Sequence, residues 1–346
     1  MHSFFEDIGA TIPLIQAPMA GAQDEKLAIA IAQKGGIGSI ACARLELNEI
    51  STSARQFRDQ SSGPLNLNFF CHAVAPRDAQ REAVWQKELS RHYTENALGF
   101  DYPTDVALYA IDAETVDIIC AIKPEVVSFH FGMPPKDFVD RIRATGSKII
   151  ASATTLKEAL YLEEQGCDAV IAQGCEAGGH QGVFLPTENI TPLPMIELVT
   201  RCVVALNIPI IAAGGIADDK TIRAAMQAGA IGVQIGTRFL KTPESTIPSR
   251  HRALLDGQGV QETAITNVFT GRPARGFVTK LVQELGPMNP NVQTFPLAIS
   301  AITHLKTATK GSDDFDAMWA GQNWEIGQEK PAADVVDELA TGFDNS

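Results

Sequence analysis

Long apolar runs are missing from this chain of 346 residues: no uninterrupted stretch approaches the roughly 18 residues that a membrane-spanning helix needs. Also missing is a basic N-terminal patch leading into an apolar segment. MHSFFEDIGATIPLIQ turns acidic and polar early, so no secretory signal is expected. Positive charge is scarce. Lys and Arg number 28 against 41 Asp and Glu, a formal net charge of −13. That balance disfavours nucleic acid as a partner, because a phosphate backbone would be repelled. The six cysteines, at 42, 71, 120, 167, 175 and 202, lack the paired spacing of metal sites. Reduced thiols in a cytoplasmic protein are the expectation, with no metal and no membrane contact. No G-x-G-x-x-G follows the first apolar run, which leaves a separate Rossmann dinucleotide site without support.

What the chain does have is rhythm. Residues 12–21 read as a strand running into a loop, and short apolar runs recur at 37–41, 65–70, 126–131, 148–151, 169–172, 208–213 and 231–235. Their length and branching are those of buried strands. Helical stretches lie between them. One is capped by Thr154 or Thr155 and stopped by Gly166; another is capped by Asp218 or Asp219 and stopped by Gly229. Eight buried strands alternating with helices predict an α/β fold, a (β/α)₈ TIM barrel. Two stretches break the rhythm. They are assigned to a smaller, mainly helical lid or substrate domain (76–114 and 241–346), leaving 1–75 and 115–240 as the barrel.

Barrel active sites form at the C-terminal ends of the strands, often with a phosphate held after the seventh and eighth. Here those loops are Ala213-Gly214-Gly215-Ile216 and Gly236-Thr237-Arg238-Phe239. Glycine N–H groups and the Thr237 hydroxyl form a candidate anion cradle. Pro18, Met19 and Ala20 would reach the same mouth from the first strand. Asn68 ends the third strand with an amide and Gln173 the sixth, and amides suit the alternating donors and acceptors of a flavin's pyrimidine edge. After Gln173 comes GCEAGGHQG, four glycines in nine residues with one imidazole, His180. A histidine on such a loop is a candidate for proton transfer. His130, in the fourth strand, reads as a core or supporting histidine that could face the same cavity. Arg272 and Arg275, flanking Pro273, could attract an anion from the lid.

PMAGA, GGIGSI, NFF, VSFHFG, QGCEAGGHQG, AAGGIADD, QIGTRF and NVFTGRPARG occur in this order. Together, over about residues 10–280, they resemble the nitronate monooxygenase family, which are FMN-dependent (β/α)₈ barrels. The resemblance implies FMN as cofactor, with contacts at Asn68, Gln173, Gly178, Gly215 and the run Gln234-Ile235-Gly236-Thr237, and His180 as the catalytic residue. Gly179 and Gly214 belong to the same two glycine loops. It also implies oxidation of alkyl nitronates, and of neutral nitroalkanes if a base removes their α-proton, by O2 to a carbonyl compound and nitrite. His180 is expected to be that base, losing function below about pH 6.5 if its pKa is ordinary; hydrogen bonding to the nitro oxygens is its other candidate role. Gln181 departs from the pattern, where arginine is common. Flavin-dependent enoyl-acyl-carrier-protein reductases and NADH:quinone reductases share the glycine-rich histidine loop, so a reductase is the alternative activity, and a non-catalytic flavin-binding barrel a second. The reading allows a homodimer.

Overall fold

In the computed structural model, residues 2–73, 76–103, 106–185, 192–259, 262–309, 312 and 314–344 are described. Eight parallel strands form one sheet: β1 (Leu14–Gln16), β2 (Gly38–Ala41), β3 (Leu65–Phe70), β4 (Val126–His130), β5 (Lys148–Ala153), β6 (Ala169–Gln173), β8 (Ile210–Ala213) and β9 (Gly232–Ile235). Their spatial order is β1-β9-β8-β6-β5-β4-β3-β2. The two ends meet through a parallel bridge from Ile15 to Ile37, so the sheet closes into a barrel. The interruption, β7, is Gly179–His180. It joins β10 (Thr263–Thr266) and β11 (Ala274–Phe277) in a small antiparallel sheet outside the barrel, and there His180 is paired with Ala274.

Local chemistry explains the helix starts. Thr155 accepts from the Glu158 N–H at 3.1 Å, and Asp218 from the Thr221 N–H at 2.8 Å, each satisfying a donor that the first helical turn leaves open. Alternate strand residues face outward to the helices: Leu65, Leu67 and Phe69 lie in the large core between sheet and helices. The inward set is different. Phe4 and Phe5 of the N-terminal helix plug the barrel floor against Ile15, Ile37, Val126, Ile150 and Ile171. Above this floor the interior turns polar. Gln16, Ser39, Asn66, Asn68 and Ser128 are buried there and bond across strands, Asn66 to Ser39 and Asn68 to Ser128, both at 2.9 Å.

A second core lies outside the barrel. Trp85, Leu89 and Tyr93 of helix Ala79–Glu95 pack with Val268, Leu281, Ala298, Ile302 and Leu305, so the two stretches that break the strand–helix rhythm meet each other. The tail does not belong there in full. Helix Ala332–Ala340 buries Val335, Val336 and Leu339 in the barrel's own core, between helices Glu25–Gln33 and Asp219–Gln227. It closes the helical ring. The range 241–346 expected for the lid thus includes a helix that packs on the barrel, because an apolar helix stripe finds its partner by space rather than by sequence distance.

Candidate active site

The loop after β6 is braced on every side at the barrel mouth. The Gly174 N–H donates to Ala213 O at 2.8 Å and the Gln181 N–H to Pro273 O at 2.9 Å. Arg275 Nε donates to Cys175 O at 2.8 Å and Nη1 to Thr263 O at 3.2 Å, so this arginine ties the loop to the small sheet. Gln181 is buried and donates to Ala177 O. The Gln173 amide is engaged at both ends: Nε2 donates to His180 O at 3.0 Å and Oε1 accepts from the Gly182 N–H at 2.7 Å. Rather than presenting a free amide edge, Gln173 fixes the backbone of His180. His130 does the same from β4, with Nε2 at 3.2 Å from His180 O. A carbonyl can only accept, so His130 carries its proton on Nε2.

The imidazole of His180 is half-buried inside an aromatic wall. Ring centroids of Phe131, Phe295 and Trp319 lie 5.6–5.9 Å away, and Phe70 at 6.4 Å. Its Nε2 is 2.9 Å from Thr270 Oγ1. Arg272 stands over two of the same rings, 4.3 Å above Phe131 and 5.2 Å from Phe295, with Nη1 donating to Val183 O at 2.7 Å. Burial, with His130, Arg272 and His72 adding to it, lowers the pKa of His180 from 6.5 to about 3. Burial and Arg272 likewise hold His72 and His130 at about 4. Arg272 is the one charged side chain whose field reaches all three imidazoles among the described residues. The expected titration of His180 near 6.5 is thus corrected downward: packing removes water from the charged form, and a fixed cation repels it.

Across the mouth lies the glycine cradle. Gly214 and Gly215 take φ of +108° and +68°, which side-chain-bearing residues rarely adopt. Gly236 and Met19 are neighbours, since a Cβ on Gly236 would lie 3.5 Å from Met19 Sδ. The Met19 N–H is held by Gln23 Oε1 at 2.7 Å, and Pro18 and Ala20 are half-buried beside it. The Ile235 side chain is buried in the outer core, so only its main chain faces this end. Gln234 Oε1 is buried without a hydrogen-bond partner among the described residues. Asn68 spends its amide nitrogen on Ser128.

Sequence reasoning missed one partner of this cradle. Segment 319–323, deep in the tail, lies over it: the Gly321 N–H donates to Thr237 Oγ1 at 2.9 Å, the Gln322 N–H to Glu176 O at 2.9 Å, and Asn323 Nδ2 to Gly215 O at 2.6 Å. Gly178 permits the approach, because a Cβ there would come within 2.6 Å of Gly321 N. Trp319 of the same segment forms part of the wall around His180. Phe70, Phe295, His72 and Thr270 were also unforeseen. The run Gly321-Gln322-Asn323 in a tail with several prolines was the available signal. Among the described residues no three His, Cys, Asp or Glu side chains converge as a metal site, and no helix is long and apolar enough to cross a membrane.

Known proteins resemble the whole of this architecture. The family profile described as nitronate monooxygenase matches residues 2–342. A nitronate monooxygenase of Pseudomonas aeruginosa is 36% identical over 339 residues, covering 96% of each chain. One of Paraburkholderia phytofirmans is 35% identical over 340 residues, covering 96% of this chain and 92% of the other. Among solved structures, a nitroalkane oxidase from Streptomyces ansochromogenes superposes with a TM-score of 0.89 at 31% identity, over 98% of this chain and 97% of that one. FabK from Thermotoga maritima shares the fold alone, with a TM-score of 0.74 at 24% identity, over 99% of this chain and 96% of that one. The chain belongs to the nitronate monooxygenase family of enzymes.

Proposed function

We propose that this protein oxidises small alkyl nitronates with O2 to a carbonyl compound and nitrite, using FMN held at the barrel mouth. The cradle fits FMN. Gly214, Gly215 and Gly236 bring backbone close to a single phosphate, Thr237 adds a hydroxyl, and the partnerless Gln234 Oε1 is an acceptor suited to a ligand donor. When bound, FMN supplies the electron-transfer chemistry that no side chain here can. The second core, from Trp85 to Leu305, acts as the lid.

One observation carries the substrate class. Arg272 stands over Phe131 and Phe295 and the His180 imidazole meets the same two rings in T-shaped contacts, so a cation and a neutral imidazole converge on one apolar wall. A nitronate is anionic at its nitro oxygens and apolar at its alkyl end, which matches that pairing. Arg272 attracts the charge, the imidazole hydrogen-bonds the nitro group, and the rings exclude water around the alkyl chain. Proton removal from a neutral nitroalkane suits this site poorly. A base works best with a pKa near the operating pH, and His180 lies far below it. The preference therefore moves from His180 as base to His180 as hydrogen-bonding partner of a pre-formed anion. Oxygen uptake and nitrite release with ethyl nitronate, measured beside nitroethane, test this. Turnover of the nitronate with slow or absent turnover of nitroethane is expected; no nitrite from either refutes the assignment.

A further inference from the structure

We infer that Thr270 is the positioning residue of this site: its hydroxyl donates to Nε2 of His180 and fixes the imidazole in its Nδ1–H form. The inference deepens the proposed function and rests on its placing of His180 against the nitro group. Thr270 Oγ1 has one proton and three polar neighbours. The Arg272 N–H donates to it at 3.3 Å, which leaves the hydroxyl proton free to go elsewhere. Two acceptors are in reach, Arg272 O at 3.3 Å and His180 Nε2 at 2.9 Å. An O–H donor prefers heavy-atom distances below about 3.0 Å, so the imidazole is the better acceptor. A neutral imidazole with Nε2 accepting must carry its proton on Nδ1. His180 Nδ1 has no partner among the described residues, yet it is not sealed from solvent as His72 Nδ1 is. Gln173 and His130 meanwhile pin the His180 carbonyl from two strands, so the ring has little freedom to present its other edge.

The consequence is selective. His180 offers the mouth a donor and no lone pair. A nitronate oxygen accepts that donor, whereas a neutral nitroalkane finds no base there. Thr270 and Arg272 flank one glycine on the same lid segment, so a single turn sets both the tautomer and the charge.

The test is ¹⁵N-histidine NMR on the full chain, with and without FMN, with His180 signals identified by their loss in H180N. A pyrrole-type Nδ1 and a pyridine-type Nε2 are expected for His180 in the parent. T270V should shift the ring toward the Nε2–H form, and T270S should retain the parent pattern. In steady state, T270V should raise KM for ethyl nitronate about tenfold, the equivalent of one lost hydrogen bond, with kcat changed much less, and T270S should restore it. A pyrrole-type Nε2 in the parent overturns the inference even if T270V does not fold. So does an unchanged tautomer in T270V. The expected tautomer without nitronate turnover would leave Thr270 in its role and refute the functional reading alone.

Discussion

Replacing Arg272 with methionine keeps the apolar stem over Phe131 and Phe295 and removes the charge. For a unit charge pair about 6 Å apart at an effective dielectric of ~20, Coulomb's law gives about 3 kcal/mol. That corresponds to roughly a hundredfold in kcat/KM for an anionic substrate. A neutral nitroalkane of the same size carries no net charge and should lose only a few-fold. The substitution also removes the guanidinium from above two rings, worth about 0.5–1 kcal/mol per contact at a partly exposed site, and the donor to Val183 O. Thermal unfolding of the variant separates that cost from substrate binding. The assay is nitrite release under saturating O2 with ethyl nitronate and nitroethane over a range of concentrations. Since Arg272 lowers the pKa of His72, His130 and His180, its loss should also let all three rise toward 6.5. Equal losses on the two substrates, or a nitronate kcat/KM within about twofold of the parent, would refute the assignment of Arg272 as the anion-attracting residue.

T237E places a carboxylate where Thr237 meets Gly321, within about 4 Å of a cradled phosphate, a repulsion of at least ~1 kcal/mol; the purified variant should lack flavin absorbance while keeping its far-ultraviolet spectrum, and normal flavin content would move the phosphate elsewhere. Burial holds His72, His130 and His251 neutral down to about 4, whereas the unfolded chain takes up those protons from about pH 6.5 downward. Stability should therefore be flat between about pH 7 and 8 and fall as pH drops from about 6.5 toward 4, with the part above pH 5 preceding most carboxylate protonation; a urea midpoint constant from pH 6.5 to 5 would contradict the burial of these rings. Trp85 is 1% exposed in the second core, and W85A should cost about 3–5 kcal/mol there. Limited proteolysis should then cut within 76–103 or 262–309 first with flavin still bound, and simultaneous loss of flavin would mean that lid and barrel are not separable.

The barrel was legible because a strand covered on both faces must be apolar along its length. Leu65–Phe70 was read to its ends, and the two caps were narrowed to Thr154 or Thr155 and to Asp218 or Asp219, of which Thr155 and Asp218 reach the nearby N–H. The glycine loops after the last two strands were legible as residue types. What each group does was less so. Gln173 was recognised as an amide at a strand end, but its engagement by His180 O and Gly182 N depends on how the following nine residues fold back. The Gly179–His180 strand is too short for any period, and its partner Ala274 lies almost a hundred residues on. The low pKa of His180 follows from burial, with Phe70, Phe131, Phe295 and Trp319 around the ring and with His130, Arg272 and His72 adding to it, side chains from separate segments that converge only in three dimensions. Segment 319–323 and helix Ala332–Ala340 were hidden for the same reason: neither has a local pattern naming its partner.

Anaerobic mixing of the FMN-loaded protein with ethyl nitronate, and separately with NADH and NADPH, tests the central claim most directly. The account predicts that the nitronate alone changes the flavin spectrum within the turnover time, and that admitting O2 restores it with release of nitrite. Rapid bleaching by NADH or NADPH, with no response to the nitronate, would contradict the account and assign this barrel to reductase chemistry.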